Sequence, residues 1–206
     1  MTYTSTGIVL GGVTMNSTKN LNKPIKIALL VAIAVVLMYF DFPIIPIFPW
    51  LAIDLSEVPA LMGGFAYGPV VGAVIVVLKV FLRLFLKGSH TAGVGELANI
   101  IVGIALVVPA AWIYNRNKSK KTAILGMIAG AIVMQIAGIL ANVYILLPAY
   151  GMQVNITQYI IAGLVPFNGI KAAIDCVITY LLYKRVSKAI FKVDSKFDSR
   201  KNKEIA

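Results

Sequence analysis

The sequence has little charge, a single cysteine and a single histidine. Charged residues make up 13% of its 206 positions, about half the share of an ordinary soluble domain. Cys176 lies in an apolar run without a disulfide partner, and His90 has no second histidine for a His-Glu-x-x-His metal site. A Gly-rich phosphate loop ending in Lys-Ser or Lys-Thr is also missing. These absences argue against a disulfide-stapled domain, a metal-dependent hydrolase and an ATPase. We therefore expect no enzymatic activity, no metal and no catalytic cofactor.

Hydrophobic residues dominate the chain. They account for 59% of it and give a mean hydropathy of +0.87, so lipid is the expected surrounding for most of the sequence. Because about 20 apolar residues cross a bilayer as a helix, the length suits about six transmembrane helices with short connections. Six apolar segments fit that count: residues 25–40, 55–68, 70–87, 97–114, 123–147 and 160–183. The segment 55–68 is the least regular, because Pro59, Gly63 and Gly64 interrupt it.

We therefore expect an all-α integral membrane protein with one membrane domain, residues 25–185. Residues 1–24 form an N-terminal segment, and residues 186–206 form a basic cytoplasmic tail. Residues 1–14 lack the charged start and the long apolar run of a signal peptide, and Met15 suits a natural start. Part of the N-terminal segment is therefore expected to be an addition to the natural chain.

Basic residues set the expected orientation. Three of the nineteen lie before or at the start of the first apolar segment, four lie between the fourth and the fifth, and eight follow residue 183. The connections 41–54 and 148–160 contain none. Because cytoplasmic loops are rich in Lys and Arg, both ends of the chain are predicted to lie in the cytoplasm of a multi-pass cell-membrane protein. The net charge of +11 then indicates contact with anionic headgroups of the lipid bilayer, and no nucleic-acid partner is expected.

Four basic residues remain, in or near the outer halves of the third and sixth segments: Lys79, Arg83, Lys87 and Lys171. A charge deep in a bilayer costs about 2.5 to 3.5 kcal/mol on insertion scales, so each needs a partner, a cavity or the headgroup region. Glu96, which opens the fourth segment, is placed to meet Arg83 or Lys87 across a hairpin. Asp175 lies one helical turn after Lys171. Ion pairing, ligand binding and snorkelling to the headgroups all remain open for these residues.

Amide side chains gather near the outer ends of the last two helices. Gln135 and Asn142 lie seven residues apart and so share one face of the fifth segment. Asn168 lies one turn before Lys171 on the sixth segment. Amides in membrane helices often serve only as hydrogen-bonding groups between helices. Because these three lie near the same outer ends, however, they predict one polar site that faces the outside of the cell.

The loop between the first two segments would cover that place. Residues 42–50 carry three prolines, which make the loop stiff and extended. Phe48 and Trp50 give it aromatic side chains, which suit either a lid or an anchor in the interfacial aromatic belt. The residues therefore predict an apolar pocket open to the outside, with a few amides and a lysine that orient a small amphipathic ligand.

Five short motifs follow one another along the membrane domain: Ala28-Leu29-Leu30-Val31-Ala32; Asp54-Leu55-Ser56-Glu57-Val58-Pro59; Gly68-Pro69 with Gly72; Gly95-Glu96-Leu97-Ala98-Asn99; and Asn168-Gly169-Ile170-Lys171. In this order, in a basic protein of this size, they resemble the substrate-binding S components of energy-coupling factor (ECF) vitamin transporters, and in particular the riboflavin-specific ones. The resemblance covers about residues 25–185.

The resemblance implies a six-helix S-component fold and a high-affinity riboflavin-binding subunit that captures the vitamin outside the cell. A separate transmembrane coupling subunit and two ATPase subunits would power the import. The implied substrate-binding residues are Asn168, Lys171, Asn142, Phe48 and Trp50 around the ring system, Glu96, Asn99 and Lys79 along the ribityl chain, and Gln135 by its shared face with Asn142. Ala28 and Ala32 would contact the coupling subunit, because small residues let helices approach closely.

Other functions stay open. The same fold serves other vitamins, so an S component for thiamin or biotin is an alternative. An autonomous secondary transporter would usually show an internal repeat or a continuous polar pathway, and no convincing repeat is visible. An intramembrane enzyme would need a nucleophile with a base, or a metal site, and Asp54 with Glu57 is too sparse for a metal-dependent phosphotransferase.

Overall fold

The computed structural model describes residues 18–89 and 93–186, with side chains from residue 23 to residue 183 within those ranges. The expectations for the first fourteen residues, for His90 and for nearly all of the basic tail lie outside the described residues. Six helices of eleven residues or more are present in the described part: α1 Thr18–Tyr39, α2 Glu57–Tyr67, α3 Pro69–Lys87, α4 Val94–Asn117, α5 Lys120–Ala149 and α6, residues 156–186. The mostly helical organisation predicted from the sequence is confirmed.

The loop between α1 and α2 departs from an all-α fold. Its first strand β1, Phe42–Pro43, pairs antiparallel with β2, Ala52–Ile53. Between the strands, the N–H of Phe48 donates to the carbonyl of Ile45, and the N–H of Leu51 donates to the carbonyl of Phe48. The loop was predicted to be extended. It instead folds back on itself through two turns, because the strands at its two ends pair with each other.

Four helices of the described part are long and apolar enough to cross a membrane by length and composition: α3, α4, α5 and α6. By contrast, α2 has only 11 residues, about 17 Å of helix, against a hydrocarbon core of about 30 Å. All its residues from Glu57 to Phe65 are buried, so it is an internal helix enclosed by its neighbours. Gly64 permits that enclosure, because a Cβ there would stand 2.9 Å from the Cβ of Ala111 on α4.

The helices α4 and α5 form a tight hairpin. Ser119 begins α5 in a capping box, in which its hydroxyl accepts from the N–H of Thr122 at 3.2 Å. Further along, a Cβ at Gly126 would stand 2.5 Å from the carbonyl oxygen of Ala110. A residue without a side chain therefore lets the two backbones touch, as in other packed membrane helices.

Both α5 and α6 contain a π-helical stretch near the loop that joins them. In α5 this stretch is Asn142–Leu146, and in α6 it is Tyr159–Leu164. Single π-helical turns inside α-helices are rare and frequently lie at functional sites. Nothing in the hydrophobic periodicity predicted them. The first residues of the two stretches, Asn142 and Tyr159, are hydrogen-bonded to each other.

Two apolar clusters fill the interior. The larger one, the bundle core, joins residues of α1 to α5 with Ala172 of α6. The smaller one, the aromatic cluster, consists of Phe48, Leu51, Ile53, Leu147, Tyr159, Leu164 and Phe167. On α6, Asn168 and Lys171 lie between Phe167 of the aromatic cluster and Ala172 of the bundle core. Buried polar residues therefore separate the two clusters, and they form the candidate site.

Candidate functional site

The buried charges of the site meet on the segment that leads into α2. Lys171 of α6 donates to the carboxylate Oδ2 of Asp54 at 3.0 Å and to the backbone carbonyl of the same residue at 3.1 Å. Ser56 donates to Oδ1 of Asp54 through its backbone N–H at 2.8 Å and through its hydroxyl. Asp54 and Lys171 are each 4% exposed. They form a buried ion pair whose carboxylate is further hydrogen-bonded.

This environment keeps Asp54 in its charged form. Burial by itself raises the pKa of the carboxyl group, but the charge of Lys171, the charge of Lys79 and the hydrogen bonds from Ser56 together hold the pKa well below its usual range. Because the folded-state pKa is depressed, the stabilisation contributed by Asp54 is present above the pKa of an unfolded aspartate. It is lost only as the pH falls through the lower, folded-state pKa. The ion pair is therefore intact near neutral pH.

The second buried lysine, Lys79, reaches the same segment from α3. Its ammonium group donates to Oε1 of Glu57 at 2.7 Å and to the hydroxyl of Ser56 at 2.6 Å. The side chains of Lys79 and Glu57 are 0% exposed, so this lysine does not snorkel to the headgroups. Ser56 links the two ion pairs, because its hydroxyl binds both Asp54 and Lys79.

The sequence-predicted pairing of Glu96 with Arg83 or Lys87 is wrong. Arg83 and Lys87 instead face Asp41, with N···O distances of 3.1 and 4.0 Å. The reason is that α1 packs alongside α3, which brings the carboxylate after α1 close to both cations. Glu96 accepts a hydrogen bond from the hydroxyl of Ser89 at 3.0 Å.

The intrahelical pair of Lys171 with Asp175, which the sequence left open, is not among the ion pairs of the described residues. Lys171 turns to Asp54, which offers it both a carboxylate and a backbone carbonyl. Both carboxyl oxygens of Asp175 are buried without a hydrogen-bond partner in the described part of the chain. The hydroxyl of Thr179, one turn further along α6, is in the same situation.

The amides Asn142 and Asn168 meet at Gly138 of α5. Asn142 donates from Nδ2 to the carbonyl of Gly138 at 2.8 Å. Asn168 packs so closely that a Cβ at Gly138 would stand 2.5 Å from its Nδ2. That Nδ2 is buried and has no hydrogen-bond partner among the described residues, and the same is true of Nε2 of Gln135, one turn before Gly138. Buried amide donors of this kind need a partner, which a bound ligand can supply.

Aromatic side chains close one side of this region. The hydroxyl of Tyr159 donates to Oδ1 of Asn142 at 3.0 Å and accepts from Nε1 of Trp50 at 3.1 Å. The ring of Phe48 meets both aromatic neighbours edge-on, with centroid distances of 5.0 Å to Tyr159 and 5.6 Å to Trp50. Phe48 also covers Gly163 of α6, where a Cβ would stand 2.8 Å from the ring. The loop is thus held on α6 by both apolar and hydrogen-bonded contacts.

The predicted substrate-binding residues fall into two sets. One set lies around Gly138 and the aromatic cluster: Asn168, Asn142, Gln135, Phe48 and Trp50. Lys171 follows Asn168 by one turn of α6 and pairs with Asp54. The others are Lys79, which connects through Ser56, and the α4 residues Glu96, which is buried, and Asn99, which is half-buried. Ala28 and Ala32 are exposed on α1. Within residues 18–89 and 93–186, no group of three His, Cys, Asp or Glu side chains is placed to hold a metal ion.

Sequence reasoning missed Tyr159 and the role of Asp54 as the partner of Lys171. A signal existed for Asp54, which ends a loop without any basic residue, so that a buried carboxylate there requires a cation from a helix. Tyr159 offered no such signal. Its place depends on the π-helical stretch of α6, which the pattern of apolar residues does not reveal.

The fold and the site define a helical membrane protein with a buried polar site under an aromatic loop, suited to binding a small solute. The family described as ECF transporter, substrate-specific component, matches residues 22–183. The chain belongs to this family, so the family resemblance predicted from the motifs is confirmed.

Individual relatives agree with this assignment. The chain is 35% identical over 192 residues to the riboflavin transporter RibU of Staphylococcus aureus (strain TCH60), which covers 87% of this chain and 100% of that protein. It is 31% identical over 170 residues to the riboflavin transporter FmnP of Bacillus subtilis (strain 168), covering 78% of this chain and 90% of the relative. A solved structure of the S component of a bacterial ECF transporter superposes with a TM-score of 0.72 at 35% identity, covering 82% of this chain and 97% of the other.

Proposed function

We propose that the protein is a high-affinity riboflavin-binding subunit that captures the vitamin outside the cell for import. The observation that carries the proposal is the match over the full length of a riboflavin transporter at 35% identity. Import would be powered by a separate transmembrane coupling subunit and two ATPases, and this subunit performs no chemistry of its own. Riboflavin is then the transported ligand and not a cofactor.

The site supports this ligand through the hydrogen-bonding groups that it leaves free. Among the described residues, Nδ2 of Asn168 has no partner, and Asn142 uses one N–H on Gly138 and so keeps the other. Lys171 gives two hydrogen bonds to Asp54 and has a third N–H to offer. These donors suit the two carbonyl oxygens of the isoalloxazine ring. The ring N–H between those oxygens would then donate to the side-chain oxygen of one of the asparagines.

The loop and α4 complete the proposed site. Phe48 and Trp50 would cover the ring, because planar heteroaromatic rings pack well against aromatic side chains. Glu96 and Asn99 would receive the hydroxyls of the ribityl chain, and Gln135 would add an amide donor. Lys79 is already hydrogen-bonded to Ser56 and Glu57, so we place it behind the ligand, as a support for the segment that carries Asp54.

We further propose six membrane spans with both ends in the cytoplasm of a cell-membrane protein. To the four helices that satisfy length and composition, the proposal adds α1 as a fifth span. The sixth crossing is formed by the short α2 together with the mostly buried residues 51–56 that lead into it. The proposal is supported by the distribution of basic residues, which are missing from the connections 41–54 and 148–160. The exposed Ala28 and Ala32 on α1 would then offer a smooth surface to the coupling subunit.

An absorption spectrum of the detergent-purified protein tests the ligand first, because a flavin has visible bands and unliganded protein has none. A yellow protein that releases riboflavin on denaturation would support the proposal. A colourless protein that also fails to quench the fluorescence of added riboflavin would reject this vitamin. Titration with thiamin and biotin would then decide between the alternatives within the family.

A further inference from the structure

The hydroxyl of Tyr159 lies in a hydrogen-bond chain that can run in only one direction. It accepts from Nε1 of Trp50 at 3.1 Å and donates to Oδ1 of Asn142 at 3.0 Å. Asn142 in turn donates from Nδ2 to the carbonyl of Gly138 at 2.8 Å. An indole N–H can only donate, and a backbone carbonyl can only accept. The two ends of the chain therefore fix the role of every group between them.

This direction leaves the Asn142 amide with defined free groups. A flipped amide would set its Oδ1 against the carbonyl oxygen of Gly138, which places two acceptors together without a proton. In the observed orientation, Oδ1 keeps one lone pair and Nδ2 keeps one N–H. The amide therefore keeps one acceptor and one donor for a ligand that presents an N–H and a carbonyl oxygen.

The fold shields the hydroxyl of Tyr159 from water. Tyr159 is 1% exposed, and its ring packs edge-on against Phe48. It begins the π-helical stretch of α6, and Asn142 begins that of α5, so the two residues face each other where both helices depart from regular geometry. Hydrogen bonds that are shielded from water are electrostatically stronger than those in solvent, so they hold their partners firmly in one orientation.

We propose that Tyr159 is a positioning residue for ligand recognition. It holds the amide of Asn142 in one orientation and connects that orientation to Trp50 on the loop that covers the site. Packing of the loop on α6 and correct presentation of the amide are thereby linked, because the bond from Trp50 exists only with the loop in place. The inference rests on the proposed function, since the ligand that it serves is riboflavin.

A double-mutant cycle on ligand-free, detergent-purified protein tests this role, with quenching of riboflavin fluorescence as the readout. Tyr159→Phe keeps the ring and removes the hydroxyl, whereas Asn142→Ala removes the amide. Tyr159→Phe is expected to lower riboflavin affinity about tenfold in the wild-type background and less than about twofold in the Asn142→Ala background. Losses that multiply in the double variant would overturn the proposal, because a packing role of Tyr159 acts equally in both backgrounds.

The controls separate this role from folding and from the identity of the ligand. Tyr144→Phe, at a 73% exposed tyrosine in the π-helical stretch of α5, is expected to leave the affinity unchanged. If Tyr159→Phe does not fold, Trp50→Phe replaces it in a cycle that measures the melting temperature of ligand-free protein, where no contact of Trp50 with the ring contributes. Independent losses of melting temperature with Asn142→Ala would again overturn the proposal. If the wild type binds riboflavin and Tyr159→Phe binds it equally well, the positioning role of Tyr159 is refuted and the proposed function still stands. If the wild type itself does not bind riboflavin, the proposed function fails and this inference fails with it.

Discussion

Lys171 is the residue whose burial most needs an explanation. Its ion pair with Asp54 compensates the charge, but a buried ion pair is not stabilising by itself, because desolvation of both groups offsets much of the attraction. Asp54 uses two of the three N–H groups of the ammonium. The proposed function gives the third N–H a partner in the ligand.

Replacement of Lys171 with Met is therefore expected to lower riboflavin affinity at least about tenfold, because a hydrogen bond to a charged group contributes about 1.5 to 3 kcal/mol. The matched control is Asp54→Asn, which breaks the same ion pair and keeps the ammonium group. Both variants are expected to lose thermal stability, but only the first is expected to lose the proposed ligand contact. Calorimetric titration and melting temperature, measured on the same preparations, would compare them. Equal affinities in the two variants would show that Lys171 serves Asp54 alone.

Gly138 permits the position of Asn168, and an added methyl group is expected to disturb it. In Gly138→Ala the new Cβ would stand 2.5 Å from Nδ2 of Asn168, and overpacking of this kind costs about 1 to 3 kcal/mol. We expect riboflavin affinity to fall about tenfold, close to the loss caused by Asn168→Ala. Gly169→Ala is the control, because nothing lies within 4 Å of a Cβ at that position. Wild-type affinity in Gly138→Ala, with a clear loss in Asn168→Ala, would contradict the packing argument.

The sequence identified some of these residues and not others for physical reasons. Lys171 and Asn168 stood out because a cation and an amide in an apolar helix need partners. The actual partner of Lys171 could not be foreseen, because Asp175 lay at helical spacing while Asp54 reaches it only through the folded loop. The contact of Asn168 with Gly138 depends on which faces of α5 and α6 meet. A single sequence does not specify that choice.

Among the elements, α2 shows most clearly what charge burial requires. It is an 11-residue helix enclosed by its neighbours, and it begins with a glutamate whose side chain is 0% exposed. Lys79 of α3 supplies the compensating charge at 2.7 Å. The ion pair therefore specifies how α2 sits against α3, in addition to the apolar contacts of the bundle core.

Removal of one partner of this pair is expected to destabilise the protein far more than removal of both. Lys79→Met leaves Glu57 buried and unpaired, at an expected cost of about 3 to 5 kcal/mol. The double variant Lys79→Met with Glu57→Gln is expected to recover most of that loss. As a control, Arg83→Met breaks a pair with 18% and 31% exposed side chains and is expected to cost less than about 1 kcal/mol. Thermal unfolding in detergent measures all three, and a double variant as unstable as the single one would contradict this account.

For the secondary-structure elements, the apolar segments of the sequence predicted the positions of the helices well. They did not predict the departures from regular α-helix. Each of the six apolar segments overlaps one helix of the structure, because apolar runs in a membrane protein follow the helices directly. The strand pair in the loop and the two π-helical stretches escaped prediction. They arise from contacts between distant parts of the chain, such as that of Tyr159 with Asn142, and these leave no periodic pattern.

Over the whole molecule, the proposed function needs two surfaces, one for the ligand and one for the coupling subunit. The proposed ligand surface is the buried polar region between α5, α6 and the loop. For the partner, α1 offers Ala28 and Ala32 together with the exposed apolar side chains Ile25, Leu29 and Ile33. An apolar helix face can meet either lipid or protein, so exposure alone does not choose between them. The small alanines favour protein, since close helix contact in membranes depends on small residues.

A large side chain at Ala28 is therefore expected to block transport while sparing ligand binding. Ala28→Trp would place a large side chain where a partner helix would approach, so riboflavin uptake in cells supplying the coupling subunit and both ATPases is expected to fall at least about tenfold. Riboflavin affinity of the purified variant is expected to equal that of the wild type. Ile132→Trp, at a 58% exposed position on α5, is the control for insertion of a tryptophan into a lipid-facing surface and is expected to transport normally. Normal uptake in Ala28→Trp would place the coupling subunit elsewhere, and equal losses in both variants would attribute the defect to membrane insertion. Loss of uptake confined to Ala28→Trp is the one result that requires a partner on this face of α1.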